Sequence, residues 1–481
     1  MPRSLRSPAP WTRYSHIFGA FALASSLAAC SDDGGGADEA NCEGETTAGG
    51  SDESSTDESG SGESEVGETG TETDTGTVAP EHYEVAFDVV DLAPDDVEIA
   101  EDFYLGGYGL YTARGPAEGT HDGVYARTMA VGYGEDDGLI VTVVDTVGFG
   151  NQWTREIRAA AAAATGLSPE QLIVSATHTH SGPDFQGLWG GVPEVYRERV
   201  ISAIAASMAA AWAARVPARL EVASTTADNR NRRGWEFTDE TLVALQAFSL
   251  EDDSRLGLTT IFAAHPVILD DDNLLISRDF CGYTVDALED ELGAPALFIN
   301  GVQGDVSPKV ADGDYADDFE RAEAYGGHVA ERTLAILSEA EEVGVSFHRD
   351  YSDFTIPVEN ENFLFASQAG ILDFDFETDA DGVSVQTQTA YFRLGDNQVQ
   401  LIAFPGESLT RNGLAVKEVM SAPHQAIMGL SGDALGYFVP SDEWMTGLND
   451  SYEESVSMSM SAGDTARDVM IELIAADPWS G

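Results

Sequence analysis

Residues 175–184 read S-A-T-H-T-H-S-G-P-D, and the organisation of the whole chain can be followed outward from them. The run 171–174 just before is mostly apolar, which predicts a buried β-strand. Serine, glycine and proline at 181–183 then end that strand. Because residues two apart in an extended segment point the same way, His178 and His180 can face one cavity from the strand end.

This H-x-H pair suits a metal ion, most often zinc, because neutral imidazole is a preferred zinc ligand. The same pair is also compatible with two polar residues in a surface loop, since two histidines do not complete a zinc site. Further ligands therefore have to come from elsewhere in the chain. His265 and Glu407 each follow an apolar run, and Tyr437 lies in the segment 432–440, which we also interpret as a strand end.

Strand-like and helix-like patterns alternate along most of the chain. This order predicts an α/β fold in which helices flank mixed β-sheets. Neither a glycine-rich phosphate loop before a helix nor a G-x-S-x-G motif is present. The predicted strands are 83–90, 128–133, 139–145, 171–176, 219–225, 241–249, 257–264, 296–300, 346–357, 388–394 and 399–404, and the predicted helices are 152–165, 192–214, 281–292, 317–341, 409–420 and 463–476.

Residues 1–29 resemble a lipoprotein signal peptide, with arginines first and then an apolar segment too short to span a bilayer. The segment runs into Leu-Ala-Ala-Cys at 27–30, which is similar to a bacterial lipobox and implies cleavage before Cys30 and lipid on its thiol. The alternative is an ordinary secretory signal with a cysteine nearby by chance. We predict an exported lipoprotein that is anchored to a membrane through Cys30, at the outer membrane, in the periplasm or at the cell surface.

Residues 30–80 are predicted to be a disordered acidic linker of Gly, Ser, Thr, Asp and Glu. Their 15 carboxylates repel one another, and they have too little apolar surface to offset the entropy of ordering. Residues 81–481 remain as a single large catalytic domain with 69 acidic and 21 basic side chains, a formal charge near −48. Such a surface excludes nucleic acid as a partner. Cys281 is the one cysteine of this domain and is predicted to be a small buried residue.

Five short motifs resemble those of the neutral/alkaline, non-lysosomal ceramidase family. They occur in the family's order and span roughly residues 120–460, most of the predicted domain. The first carries the two histidines described above. The motifs are T-H-T-H-S-G-P at 177–183, N-x-L-I-S-x-D-x-x-G-Y at 273–283, G-D-V-S-P at 304–308, F-P-G-E at 404–407 and L-G-Y at 435–437.

The resemblance implies a zinc amidase that cleaves the N-acyl bond of ceramide and releases sphingosine and a fatty acid. By position in the motifs, it implies His178, His265, Glu407 and Tyr437 as the zinc ligands. Two neutral imidazoles and one carboxylate leave a bound zinc with a net charge of +1 and an open coordination position. The tyrosine is open to two interpretations, as a ligand or as a donor to the developing oxyanion.

The resemblance also implies roles for residues beside the metal. His180 would assist proton transfer, Ser307 matches the family's active-site serine, and Arg232 resembles an arginine on the substrate side. For Ser307 the alternative is a structural turn residue before a proline. We further expect Asp305 and Asp279 to orient the metal-binding histidines, with ordinary turn carboxylates as the alternative.

Several residues depart from the family pattern around the expected substrate pocket. Lys309 stands where the family has asparagine, residues 184–186 replace a glycine-rich continuation, and Pro266 replaces a glycine. The chain also ends soon after the last motif, so we expect no C-terminal β-sandwich module. The resemblance and these departures together lead us to expect ceramide or a related N-acyl lipid or small amide as the substrate. Two other functions remain open, a metallo-esterase or phosphoesterase on the same fold and a non-catalytic surface-binding lipoprotein.

Overall fold

The structure, a computed structural model, describes residues 79–108 and 114–479. The predicted signal peptide, Cys30 and the predicted linker up to residue 78 lie outside these ranges. The chain from Ala79 onward forms one compact unit, and its sheets are mixed, so the prediction of a single α/β domain is confirmed.

The strands follow the apolar runs of the sequence, and the neighbouring strands Gly138–Val144 and Leu172–Ala176 are buried along their whole length because both faces of their sheet are covered. The strands are β1 (Tyr83–Asp91), β2 (Gly119–Thr120), β3 (Tyr125–Gly132), β4 (Gly138–Val144), β5 (Leu172–Ala176), β6 (Val216–Thr226), β7 (Asn229–Asn231), β8 (Thr241–Ser249), β9 (Arg255–Phe262), β10 (Leu275–Ile276), β11 (Ala296–Asn300), β12 (Val306–Pro308), β13 (Glu341–Glu342), β14 (Phe347–Pro357), β15 (Phe376–Thr378), β16 (Val383–Leu394), β17 (Val399–Ala403), β18 (Glu407–Ser408), β19 (His424–Met428) and β20 (Tyr437–Phe438).

The longer helices bury one face each. One of them, Asn151–Thr165, stops at Gly166, whose φ of 81° places it in the left-handed conformation that glycine adopts at low cost. The helices are α1 (Asp96–Ile99), α2 (Asn151–Thr165), α3 (Glu194–Ala213), α4 (Asp279–Leu292), α5 (Asp318–Ile336), α6 (Glu361–Gln368), α7 (Thr410–Lys417), α8 (Tyr452–Ser455) and α9 (Ala462–Ala476).

Two sheets form the centre of the domain. The larger has nine strands in the order β11-β9-β8-β6-β1-β3-β4-β5, with β13 also on β6; the smaller has β14-β16-β17-β19, with β15 on β16. Their inner faces share one apolar core, in which Val141 and Leu245 of the first sheet belong with Phe392 and Leu401 of the second. The sheets therefore pack face to face.

Helices cover the outer faces of both sheets. Helices α2 and α3 share a core with β3, β4 and β5, and α4 and α5 share one with β8, β9 and β11. Helices α6, α7 and α9 cover the smaller sheet. The domain thus has four layers, helix, sheet, sheet, helix. Within the described ranges, no helix combines the length and the apolar character needed to cross a bilayer.

The long elements agree closely with the sequence predictions, and β8 and β11 agree to the residue. Strand β19 and helix α6 were not predicted. The short strands β7, β12, β18 and β20 were not predicted either, because two or three residues carry no periodicity. They pair as β7 with β12 and β18 with β20, and both pairs lie beside the residues described next.

Candidate metal centre and pocket

His178 lies two residues beyond β5, where the chain turns its ring into the interior. Its φ of 69° is in the left-handed region, which costs a non-glycine residue roughly 1–2 kcal/mol. The turn is held by the His178 N–H, which donates to the carbonyl of Thr146 at 2.9 Å. Strain of this kind persists where surrounding contacts over-determine the backbone, and it is frequent at functional sites.

The rings of His178 and His265 are oriented by backbone carbonyls. Nδ1 of His178 donates to the carbonyl of Val147 at 2.5 Å, and Nδ1 of His265 donates to that of Gln303 at 2.9 Å. A carbonyl only accepts, so each Nδ1 carries the hydrogen and each Nε2 of a neutral ring presents a lone pair. The two Nε2 atoms lie 3.1 Å apart, and two facing lone pairs at that distance are favourable when a cation lies between them.

Two further donors point to the same place. Oε2 of Glu407 lies 3.2 Å from Nε2 of His178 and 3.4 Å from Nε2 of His265, yet it is buried without a hydrogen bond in the described part of the chain. Nε2 of His180 lies 3.3 Å from Nε2 of His178. Donor atoms of the three buried histidines lie within 4.8 Å of one another, so this group can hold a metal ion. Nitrogen donors with one carboxylate are the set that zinc prefers.

Tyr437 and Arg232 lie on the other side of this group. The parallel pairing of β18 and β20 places Glu407 directly opposite Tyr437. The Tyr437 hydroxyl lies 3.4 Å from Nε2 of His265 and accepts a hydrogen bond from Nη2 of Arg232 at 2.8 Å. Because the arginine supplies that hydrogen, the tyrosine keeps its own hydrogen for an acceptor in the site.

Burial sets the protonation states. It lowers the pKa of His180 and of His265 well below the ordinary value, and the nearby charge of Arg232 adds to the effect. Both rings are therefore neutral at pH 7, as metal ligands and proton acceptors need to be. Burial also raises the pKa of Tyr437 well above its ordinary value, although Arg232 opposes the shift.

The two aspartates expected to orient histidines do something else, and that prediction is wrong. Oδ1 of Asp305 accepts from the backbone N–H and the hydroxyl of Thr410 at 2.7 and 2.8 Å. Asp279 accepts from the backbone N–H groups of Leu269 and Phe280 at 3.1 and 2.6 Å. Asp305 thus binds the first residue of α7, and Asp279 binds Leu269 and the second residue of α4. The Nδ1 atoms of His178 and His265 are satisfied by backbone carbonyls instead.

Ser307 lies on β12, opposite Arg230 of β7. The carbonyl of its neighbour Val306 accepts the backbone N–H of His265, so this strand supports that histidine through its main chain. Among the described residues, Ser307 is not one of those that line the pocket in front of the histidines. Its catalytic role therefore stays a prediction. Cys281 is buried and free, as predicted.

A pocket opens in front of His178 and His180. Its other walls are mostly apolar and come from parts of the chain far apart in sequence. Sequence reasoning missed them because a lone aromatic residue in a loop looks the same whether or not it faces a cavity. The ring of Tyr452 lies edge-on to that of Tyr437 at 5.9 Å. The pocket is lined by Gly107, Val147, His178, His180, Gln186, Leu188, Trp189, Phe363, Glu407, Ala434, Gly436, Tyr437, Tyr452 and Val456.

One wall of the pocket is built on Asp184, a residue that departs from the family pattern. Oδ1 accepts from the N–H groups of Gln186 and Gly187 at 3.1 and 2.9 Å, and Oδ2 from those of Trp189 and Gly191 at 2.7 and 2.9 Å. The loop is thus wound around one carboxylate. This places Trp189 in the pocket wall.

No family model and no curated protein matches the sequence. The solved structures that match the fold include two ceramidases. The crystal structure of neutral ceramidase from Pseudomonas aeruginosa has a TM-score of 0.68 and 18% identity, covering 82% of this chain and 74% of that one. A ceramidase complexed with C2 has a TM-score of 0.66 and 17% identity, covering 82% and 75%. The described chain therefore has the fold of a neutral ceramidase.

Proposed function

We propose that this protein is a zinc-dependent amidohydrolase of the neutral ceramidase family that cleaves the N-acyl bond of ceramide or of a related N-acyl lipid or small amide. The observation that carries the proposal is the convergence of Nε2 of His178 and His265 with Oε2 of Glu407, all facing one point. The order of the five motifs and the ceramidase fold support the same conclusion. The proposed ligands are these three residues and Tyr437, and His180, the third histidine of the buried cluster, is assigned to proton transfer.

The reaction adds water to the amide carbonyl carbon, breaks the C–N bond, and moves a proton from that water to the leaving amine. A bound zinc supplies Lewis acidity and a water of lowered pKa. His180 is neutral and lies beside the proposed ligand His178, so its ring can take the proton and return it to the amine. The hydroxyl of Tyr437, held by Arg232, can donate to the oxygen on which negative charge develops.

The substrate scope is proposed from the pocket and the surface. The pocket is lined by apolar groups such as Leu188 and Phe363, which suits an acyl chain. The domain carries a formal charge near −48, and an acidic surface is repelled by anionic lipid. We propose that short-chain or detergent-dispersed N-acyl amides are hydrolysed efficiently, and ceramide within a bilayer poorly.

The location in the cell is a proposal that rests on sequence alone. The lipobox-like segment ending at Cys30 and the acidic linker support an exported lipoprotein held on a membrane by its N-terminus. That arrangement places the domain at the outer membrane, in the periplasm or at the cell surface, where N-acyl lipids are accessible.

The test offers zinc-loaded protein four substrates, namely a fluorogenic short-acyl ceramide, long-chain ceramide in vesicles, a p-nitrophenyl ester and a phosphodiester. We expect the short-acyl ceramide to be turned over, and we expect His180→Ala to lose about 10²–10⁴-fold in kcat, the usual contribution of general acid–base catalysis. His348→Ala on β14, outside the pocket lining, is the matched control. Turnover of the phosphodiester alone would favour the phosphoesterase function, and turnover of nothing would favour a binding role.

A further inference from the structure

Four charged residues form a buried cluster behind Tyr437. Two consecutive arginines, Arg232 and Arg233, meet two consecutive glutamates of α8, Glu453 and Glu454. Both glutamates and Arg233 are almost completely buried. Buried charges are retained only when they are paired and hydrogen-bonded, and here two positive and two negative groups balance.

The two glutamates have different partners within this cluster. Glu453 bridges both arginines: Oε1 accepts from Nε of Arg232 at 3.1 Å, and Oε2 from Nη1 of Arg233 at 2.7 Å. Glu454 binds Arg233, at 2.9 and 3.2 Å, and the backbone N–H of Met445 at 3.2 Å. Of the two carboxylates, Glu453 alone has a hydrogen bond to Arg232 among the described residues.

The guanidinium of Arg232 is thereby fixed from both ends. Its Nη2 donates to the hydroxyl of Tyr437 at 2.8 Å and to the carbonyl of Gly304 at 2.7 Å, while its Nε is held by Glu453. A guanidinium is planar, so fixing Nε and Nη2 fixes the whole fork. The position of Glu453 therefore determines where the Arg232 hydrogen meets Tyr437.

The segment before Glu453 has a strained backbone, and it presents Glu453 to Arg232. Asn449, Asp450 and Ser451 have φ values of 49°, 52° and 55°, so three successive non-glycine residues are left-handed. Each such residue costs roughly 1–2 kcal/mol, which other contacts must offset. Nδ2 of Asn449 donates to Oε1 of Glu453 at 2.6 Å, so the turn itself presents the carboxylate to the arginine.

We infer that Glu453 is a positioning residue for the proposed hydrolysis, holding Arg232 on the hydroxyl of Tyr437. The inference rests on the proposed function, since it concerns the groups that face the substrate carbonyl. Glu453 does not touch the substrate. It supplies the negative charge and the geometry that keep a cation in place next to a metal site, where that cation would otherwise be repelled.

The test compares Glu453→Gln with Glu454→Gln, two isosteric changes in adjacent residues of one buried cluster. Both remove a charge from the pairs with Arg233 and should lower the melting temperature similarly. We expect Glu453→Gln to lower kcat on the short-acyl ceramide by about 30–100-fold with KM changed less than about 3-fold, because small misplacements of catalytic groups cost up to about 10²-fold. Glu454→Gln should stay within about 3-fold of wild type.

A double-mutant cycle adds a measurement that a purely structural role would not move. The double variant Arg232→Lys/Glu453→Gln should lose much less kcat than the product of the two single-variant losses. The kcat loss of Arg232→Lys/Glu454→Gln should equal the product of its two single-variant losses. Glu453→Asp keeps the charge and should recover part of kcat; it also serves if Glu453→Gln folds poorly. Equal kcat losses in the two glutamine variants, together with a double-variant loss at Glu453 equal to the product of the single losses, would overturn this inference but leave the proposed function standing. A wild-type protein without hydrolytic activity would overturn the proposed function, and the inference with it.

Discussion

Gly107→Ala would place a methyl group against the ring of His180, the proposed proton-transfer residue. Gly107 packs against the face of the His180 ring, and a Cβ there would lie 2.5 Å from its Nδ1 and 2.7 Å from its Cδ2. Ordinary contacts begin near 3.4 Å, so either the ring or the backbone has to move by about 1 Å. The ring of Tyr108 packs edge-on at 4.8 Å, so little space is left to absorb the movement.

The expected loss follows from that displacement. A misplacement of about 1 Å can cost about 10²-fold in rate, so we expect kcat on the short-acyl ceramide to fall by about 100-fold or more. Gly107 also has a φ of 105°, so alanine adds backbone strain unrelated to His180. The control is Gly166→Ala at the end of α2, where φ is 81° and nothing lies within 4 Å of the new Cβ. It should lose about 1 kcal/mol of stability and keep its activity.

The assay is steady-state hydrolysis with zinc-loaded protein, together with thermal unfolding of each variant. Gly107→Ala should combine a modest drop in melting temperature with a large drop in kcat, and the control should show only the former. Wild-type kcat in folded Gly107→Ala would refute the reasoning, because His180 would then tolerate displacement from the observed position.

Four further predictions follow from the same structure and sequence. Purified protein should contain about one zinc per chain by elemental analysis, and the His178→Ala/His265→Ala double variant should contain none; full retention would reject the assignment. Asp184→Asn should lower the free energy of unfolding by about 2–4 kcal/mol in urea and raise KM, because an amide NH₂ cannot accept two of the four backbone N–H groups. Burial raises the pKa of Asp279 to about 7, above about 3.9 for an unfolded aspartate. The folded state therefore binds the extra proton, and the free energy of unfolding should fall as pH rises from about 4 to 7. Asp279→Asn should flatten that fall, and an unchanged pH profile in this variant would argue against the raised pKa of Asp279. Cys30→Ser should abolish incorporation of labelled palmitate, and continued labelling would exclude Cys30 as the lipid site.

The long elements and the residue types of the candidate metal centre were predictable from sequence because both leave local signals. A strand that is covered on both faces leaves a continuous apolar run, as in β11 and most of β8. A helix that buries one face leaves a period of 3.6, as in α2. Polar residues placed directly after apolar runs identify the ends of core strands. His178, His265 and Glu407 were found in this way, and the structure brings their donor atoms within 3.4 Å of one another.

Hydrogen-bond partners were not predictable, because they are chosen between segments that are distant in sequence. The side chains of Asp305 and Asp279 were expected at the histidines, yet Asp305 accepts from the first residue of α7 and Asp279 from the backbone N–H of Leu269. A backbone carbonyl is present at every residue and leaves no trace in the sequence, so nothing marked Val147 and Gln303 as the groups that orient the rings.

The sequence by itself determined which segments are buried, the α/β class and the chemical types at the metal group, because each depends on local pattern or on motifs. The tertiary structure decided which side chains, distant in sequence, become partners. Glu453 looks like an ordinary surface charge in the sequence, and nothing there connects it with Arg232, which lies 221 positions away. They become a positioning pair only where the packing of α8 removes water from both, since a charge buried away from solvent has to find its partner within the protein.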